Sequence, residues 1–264
     1  MIYDEPRYMY GGDQFLIMET GNDMSIRQNC MVIEINRLLT ESKIKGVLNS
    51  QPTWRSLLVQ YNPFEISFED LKKELENIRS NVKQLDEIPS RIVEIPIIYG
   101  GKWGPDFEAT AEYNKVSVEK AIELHSSELQ WVGLVGFVPG HPFVRPLRKD
   151  QKLHGKIYDS PRTYTPLGTI GLGGITTTFY TVATPGGYAM IGYIPAVPYD
   201  PAQLLPDFQK SAILLRAGDR IKFKPIDVDE LNYIRQQVIE RQFRFNIKEG
   251  IFKLSEWEKE QRGE

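Results

Sequence analysis

Most of the chain's 21 glycines and 17 prolines fall between residues 100 and 225. That density excludes long helices there, because proline removes a backbone donor and glycine is unfavourable inside a helix. Short apolar runs lie between the breaks: Trp131–Phe137, Thr169–Leu172, Thr176–Val182, Ala189–Ile194 and Arg220–Phe223. Short strands separated by such turns predict a closed antiparallel barrel or sandwich. Two short helices are expected ahead of it. One is Pro105–Tyr113; the other is Val118–His125, with Ser117 as its cap and Val118, Ala121 and Ile122 inward.

The flanks differ in kind. Gly11-Gly12 divides two apolar stretches between Tyr8 and Met18, which predicts a hairpin. A helix is expected after Ser25 with Ile26, Cys30, Ile33 and Leu38 on one side, then a strand over Ser56–Tyr61. Leu71, Leu75, Ile78, Val82 and Leu85 recur at helical spacing after Ser67, with Lys72, Lys73, Glu74 and Glu76 on the solvated side. A strand over Arg91–Tyr99 turns Val93, Ile95 and Ile97 one way. Near the other end, Asp229 is expected to cap a helix carrying Leu231, Ile234 and Val238. A hairpin is expected around Lys248-Glu249-Gly250, followed by a charged, frayed tail. The fold class is therefore α+β, divided into a small α+β domain over residues 1–99, a barrel over 100–226 and a helix-and-hairpin extension over 227–264.

Charge and motif content narrow the function. Lys and Arg number 32 against 35 Asp and Glu, a net charge of −3, which argues against a nucleic-acid partner. No apolar run approaches the length of about 18 residues that a membrane span needs. The acidic start Met1-Ile2-Tyr3-Asp4-Glu5 lacks a signal-peptide core. The one cysteine, Cys30, lies on an apolar helix face and reads as a packed side chain, so a cytoplasmic setting is expected. No G-x-x-x-x-G-K-[ST] loop is present, and Gly171-Leu172-Gly173-Gly174 lacks the third spaced glycine of a dinucleotide fingerprint. Three histidines and one cysteine do not form a clustered ligand set, so no metal is expected.

What remains is a series of glycine-proline turns: Gly136-Phe137-Val138-Pro139-Gly140, Pro161-Arg162, Pro166-Leu167-Gly168-Thr169, and Thr184-Pro185-Gly186-Gly187-Tyr188 ahead of Ile191-Gly192. Glycine lets a ligand approach backbone amides closely, and successive amides can hold an anion. Arg162 suits a carboxylate or phosphate. Together with Gly104-Pro105-Asp106, His125-Ser126 and Gly218-Asp219-x-Ile221-x-Phe223, these turns resemble, in order and spacing, the allophanate-hydrolase-subunit-1 family. That family includes the B component of 5-oxoprolinase, the KipI kinase inhibitor and one half of the urea carboxylase carboxyltransferase domain. A weaker likeness extends upstream through Pro52-x-x-Arg55-Ser56-Leu57-Leu58-Val59-x-Tyr61-Asn62-Pro63.

The resemblance implies a cyclophilin-like antiparallel β-barrel after a small α+β domain. It implies a hetero-oligomeric, carboxyltransferase-like or 5-oxoprolinase-like enzyme acting on an amide or lactam, inactive or nearly so as this chain alone. The cleft would be shared with a related barrel subunit, of the type of allophanate hydrolase subunit 2 or the C component of 5-oxoprolinase. ATP or biotin would be handled by partner subunits, since no phosphate loop or Met-Lys-Met segment occurs here. Its alternative is a regulatory module that binds histidine kinases. The implied catalytic residues are His125, matching a family histidine at a helix end, and Arg162. The implied substrate contacts are Pro139, Gly140, His141, Gly168, Thr169, Pro185, Gly186 and Gly187. Trp103 and Trp131 read as packing.

Three places depart from the family pattern. Ile157 and Tyr158 stand where basic residues are usual, His141 where an aromatic is usual, and Tyr193 where arginine is frequent. Less positive charge and more ring surface would suit a less anionic or more aromatic substrate than 5-oxoproline.

Overall fold

The computed structural model describes all residues except 83–84, 149–151 and 264. In chain order its elements are β1 (Ile2–Tyr10), β2 (Phe15–Gly21), α1 (Ile26–Ser42), β3 (Val47–Pro52), β4 (Ser56–Tyr61), α2 (Phe68–Val82), β5 (Glu87–Pro89) and β6 (Ile92–Tyr99). There follow α3 (Phe107–Tyr113), α4 (Val118–Ser126), β7 (Gln130–Val135), β8 (Pro142–Pro146), β9 (Ile157–Thr165), β10 (Thr169–Gly173), β11 (Thr176–Phe179) and β12 (Thr184–Tyr193). The chain ends with β13 (Arg220–Pro225), α5 (Val228–Ile239), β14 (Ile247–Lys248), β15 (Ile251–Lys253) and α6 (Leu254–Arg262). Two compact units result, Met1–Pro89 with Ile251–Glu264, and Ser90–Gly250.

The first unit is a sheet of order β1-β2-β4-β3 with α1 and α2 packed on it. The expected hairpin forms, Tyr10 pairing with Leu16 across Gly11-Gly12. Ser25 caps α1 by accepting from the Gln28 amide at 3.2 Å. The buried side of α1 includes Val32, Ile35 and Leu39 beside Ile26 and Cys30, while Ile33 and Leu38 are only partly covered. The expected stripe was too narrow because α1 touches both the sheet and α2, which widens its covered face. Cys30 is buried, and burial pushes its thiol pKa up, so it behaves as a packed side chain. On α2, Leu71, Leu75, Ile78 and Val82 are buried as the spacing predicts.

The C-terminal stretch differs from expectation. Ile247–Lys248 pairs with β6 and Ile251–Lys253 pairs with β5, so no hairpin forms around Gly250 and the chain passes from one unit to the other there. The charged tail is a helix, α6. The Asp86 carboxylate accepts from the Ser255 amide (2.7 Å) and hydroxyl (2.9 Å), and Arg27 pairs with Glu258 at 2.6 Å.

The second unit is built on a sheet of order β14-β6-β13-β7-β8-β11-β10-β12-β9, and pairing of β6 with β12 closes its middle seven strands into a barrel. The barrel is not wholly antiparallel: β6 and β13 run parallel, Ile92 opposite Arg220 through Ile97 opposite Pro225. Parallel neighbours need a crossover rather than a tight turn, and the chain from 100 to 219 supplies it. Thus β6, expected in the first domain, belongs to the barrel, with Val93, Ile95 and Ile97 each at 0% exposure in its core. Each such side chain contributes roughly 1.5–3 kcal/mol on burial. Ser117 caps α4 as expected, whereas Asp227, not Asp229, caps α5 by accepting from the Glu230 amide at 2.9 Å. Trp131 is fully buried. Beyond the barrel, β9 and the start of β12 form a two-stranded ribbon with a register irregularity on each side of Gly186. No described helix is long and apolar enough to cross a membrane.

Candidate functional site

β11 separates the two histidines of interest. Its consecutive side chains point to opposite faces. Thr177 shares a face with Phe179, which belongs to the barrel core. Nε2 of His125 lies 2.9 Å from the Thr177 hydroxyl, and Nδ1 lies 2.7 Å from the Tyr99 hydroxyl. Nε2 of His141 bonds the Thr178 hydroxyl, on the other face. His125 is therefore an interior residue, 3% exposed, tying α4 to β6 and β11 with both ring nitrogens engaged. Burial lowers its pKa to about 3, so the ring is neutral at physiological pH. The catalytic reading of His125 does not follow from this placement.

Arg162 has a partner within the chain. One terminal nitrogen lies 2.8 and 2.6 Å from the two Asp106 oxygens, and the second donates to the Tyr188 carbonyl at 3.4 Å. The Asp106 carboxylate also accepts from the Met190 amide at 2.7 Å. Asp106 stands at the N-cap position of α3 yet makes no side-chain cap bond, because its carboxylate holds the β9–β12 ribbon instead. Arg162 is thus a structural clamp rather than a free anion receptor. Tyr158, under the guanidinium at 4.8 Å, lines a cavity of about 380 Å³ with Asp106 and Lys156. Tyr193 packs against Trp103 at 5.1 Å between ring centroids, with Arg235 5.0 Å over the Tyr193 ring. Ile157 is 56% exposed.

The cavity that collects the glycine turns lies on the outer face of the barrel wall. It encloses about 360 Å³ and is lined by Phe137, His141, Phe143, Pro161, Thr178, Tyr180, Pro185, Gly186, Gly187 and Tyr188. That size suits a small molecule. Of the expected contacts, His141, Pro185, Gly186 and Gly187 line it directly. Gly140, at φ +72°, turns the chain so that His141 enters, and the Gly136 amide donates to the His141 carbonyl at 2.9 Å. The Pro139 carbonyl accepts from the Thr181 hydroxyl at 2.7 Å. Gly168 and Thr169 do not line it; the Gly168 amide donates to the Tyr180 carbonyl at 2.8 Å and the Tyr180 amide to the Thr169 carbonyl at 2.9 Å, which fixes the Tyr180 backbone. Phe137 sits at the rim, 74% exposed and at φ +74°, a conformation unfavourable for an aromatic residue.

Several lining residues were not singled out from the sequence. Gly171 and Gly173, which look like a broken phosphate loop, lie in β10 and leave room for rings. A Cβ on Gly173 would fall 2.5 Å from the Tyr188 ring, and one on Gly171 would fall 2.9 Å from the Tyr180 ring. The only signal for Tyr180 and Tyr188 was glycine alternating along a strand beside tyrosines, a mark of close approach.

His141 carries the electrostatic interest. The Thr178 hydroxyl has one proton and lies beside both the Pro142 carbonyl, at 2.8 Å, and Nε2 of His141; we assign that proton to the carbonyl, which can only accept, so that toward His141 the hydroxyl accepts. Nε2 therefore bears the proton and Nδ1 a lone pair. Nδ1 is buried and has no hydrogen-bond partner among the described residues. Phe143, Tyr180 and Phe137 surround the ring at 5.0, 5.5 and 5.7 Å. Burial lowers its pKa to about 4. No Asp, Glu, Lys or Arg occurs among the described residues that line the cavity.

Adjacent glycines provide a contrast. A Cβ on Gly186 would fall 2.0 Å from the Tyr180 hydroxyl, whereas one on Gly187 meets nothing nearer than 3.4 Å. Gly186→Ala is expected to cost roughly 1–3 kcal/mol by displacing Tyr180, and Gly187→Ala to be near neutral. Thermal unfolding of both variants checks this; equal losses would contradict it.

A family model described as carboxyltransferase domain, subdomain C and D, matches residues 6–208. The B component of 5-oxoprolinase from Bacillus subtilis is 32% identical over 232 residues, 84% of this chain and 92% of that protein. The urea amidolyase of Lachancea kluyveri is 26% identical over 270 residues, 93% of this chain but 15% of that protein. The crystal structure of Kluyveromyces lactis urea carboxylase superposes with a TM-score of 0.83 at 21% identity, covering 100% of this chain and 26% of that one, a likeness of fold.

Proposed function

Because the chain belongs to the family of carboxyltransferase-domain subdomains C and D, we propose that it is one subunit of a hetero-oligomeric enzyme acting on an amide, lactam or related carbonyl compound. The Bacillus subtilis relative is by name one lettered component of 5-oxoprolinase, and this chain spans 92% of it, which supports a role as one subunit among several. The observation that carries the site assignment is the outer-wall cavity, a concave, largely aromatic space assembled from the segments that carry the family likeness. Substrate binds there, beside the Pro185-Gly186-Gly187 backbone, in which the Gly186 and Gly187 amides, not that of the proline, can polarise a carbonyl oxygen. The site is completed by a related barrel subunit.

Among the described residues that line it, the cavity offers no cationic side chain to a triphosphate, so ATP is not assigned to it. ATP- or biotin-dependent steps belong to partner chains. Within this chain, His125 and Arg162 hold the walls in place and do not touch substrate.

Affinity recovery of the tagged chain at physiological salt tests the subunit role. A related barrel subunit in equal amount is the expected result. A histidine kinase without such a subunit would favour a regulatory module, and recovery of the chain alone would contradict the proposal.

A further inference from the structure

We infer that the outer-wall cavity selects a neutral, flat ligand that donates an N–H hydrogen bond to Nδ1 of His141, which makes a secondary lactam or amide without a carboxylate the class it takes. This deepens the proposed function and rests on reading the cavity as the substrate site.

Two independent observations converge on it. One is the hydrogen-bond count at His141. Nδ1 is buried with no partner among the described residues, and with the Thr178 proton assigned to the Pro142 carbonyl, Nε2 donates to Thr178 and Nδ1 is left as an acceptor. A buried acceptor without a donor carries a desolvation penalty that a ligand N–H would relieve. A carbonyl or carboxylate at the same place would set lone pair against lone pair.

The other is the charge of the walls. No ionisable acid or base other than His141 and the tyrosines lines the cavity among the described residues. The two guanidinium groups whose charge reaches the cavity tyrosines, Arg162 at Tyr180 and Arg145 at Tyr188, do not line it; Arg162 pairs with Asp106 at 2.6 Å, and Arg145 donates to the Thr176 hydroxyl at 3.0 Å. A carboxylate entering here would lose hydration without a cationic side chain to pair with among the described lining residues. Phe137, Phe143, Tyr180 and Tyr188 instead offer ring faces to a planar body.

Two rigid bicyclic probes of one shape and a smaller anionic lactam test these requirements, read as dissociation constants for the purified full chain by calorimetry or ligand-observed NMR. Oxindole presents a lactam N–H. 2-Coumaranone, the corresponding lactone, replaces that N–H with the ring oxygen of an ester and adds no bulk. 5-Oxoproline carries a carboxylate. Oxindole is expected to bind about tenfold more tightly than 2-coumaranone, the effect of one buried hydrogen bond, and more tightly than 5-oxoproline. In His141→Phe, which keeps a ring but removes the acceptor, the preference for oxindole over 2-coumaranone is expected to vanish. Equal binding of the two probes by the wild-type chain, a preference that survives in His141→Phe, or tighter binding of 5-oxoproline would each overturn the inference. The wild-type comparison stands even if the variant does not fold. The assay needs no partner subunit. An assembled complex that turns over an anionic lactam while the chain ignores oxindole would remove this inference and leave the enzyme reading; oxindole selectivity in a chain that joins no complex would do the reverse.

Discussion

Asp219→Ala is expected to remove about 3–5 kcal/mol of stability from the barrel unit, a large share of the roughly 5–15 kcal/mol that holds a typical protein folded. Asp219 is 1% exposed and accepts from two nitrogens of Arg91, at 2.9 and 2.6 Å, and from the Arg216 amide at 2.9 Å. Arg91 also donates to the Leu214 carbonyl at 2.7 Å. The pair joins the start of β6 to the turn ahead of β13, the two strands that run parallel and have no short loop to set their register. Removing the acid leaves the Arg91 guanidinium, 12% exposed, without its carboxylate. A double variant, Arg91→Met with Asp219→Leu, removes both charges and is expected to recover most of the loss. Urea unfolding at pH 7 measures both variants. A single-variant loss below about 1 kcal/mol would show that the pair contributes no more than a surface ion pair does.

Mild acid is expected to destabilise the barrel through its two buried histidines. An unfolded histidine takes up a proton near pH 6.5, whereas in the folded chain His125 does so only at about 3 and His141 at about 4. Between those limits the unfolded state binds more protons, so stability is complete above about pH 6.5 and falls as pH drops toward 4. Each histidine contributes about 2–3 kcal/mol of loss by pH 4.5. His125→Gln removes one titrating ring while keeping a polar side chain. It is expected to be less stable than the parent at pH 7 but to lose about 2–3 kcal/mol less between pH 7 and 4.5. Urea unfolding of both proteins at the two pH values checks this. An undiminished pH dependence in the variant would mean that His125 is not held neutral by the fold.

Elements with one dominant period were legible in the sequence. The helical spacing of Leu71, Leu75, Ile78 and Val82, the cap at Ser117 and the alternation of Val93, Ile95 and Ile97 all appear in the structure as read. Four strands were missed, the short β3 and β5 and, for local reasons, β8 and β9. β8 begins and ends with proline, and β9 carries Pro161 among charged and exposed residues, so neither shows an apolar strand pattern. The assignment of Arg91–Tyr99 to the first domain failed because only pairing with β13, far along the chain, reveals its place. The site divides in the same way. Gly140-His141 and Pro185-Gly186-Gly187 were visible as turns expected to meet a ligand; all but Gly140, which turns His141 inward, line the cavity, whereas the expected Pro139, Gly168 and Thr169 do not. His125 and Arg162 were visible as chemistry but not as placement. Which face of β11 each histidine meets, and that Asp106 claims Arg162, depend on tertiary pairing that local sequence does not encode. Nothing in composition marks Tyr180 and Tyr188 as cavity walls, since their role depends on glycines in a neighbouring strand.

If this chain supplies the substrate cavity of a multi-subunit amide- or lactam-processing enzyme, that enzyme cannot work without it. The most direct measurement is consumption of lactam and amide substrates, with ATP and bicarbonate present, by the partner subunits assembled with and without this chain. Turnover only in its presence, reduced by Gly186→Ala, whose added Cβ clashes with the Tyr180 hydroxyl in the cavity wall, and retained by Gly187→Ala, is the expected result. Turnover that is unchanged when the chain is omitted would contradict that role.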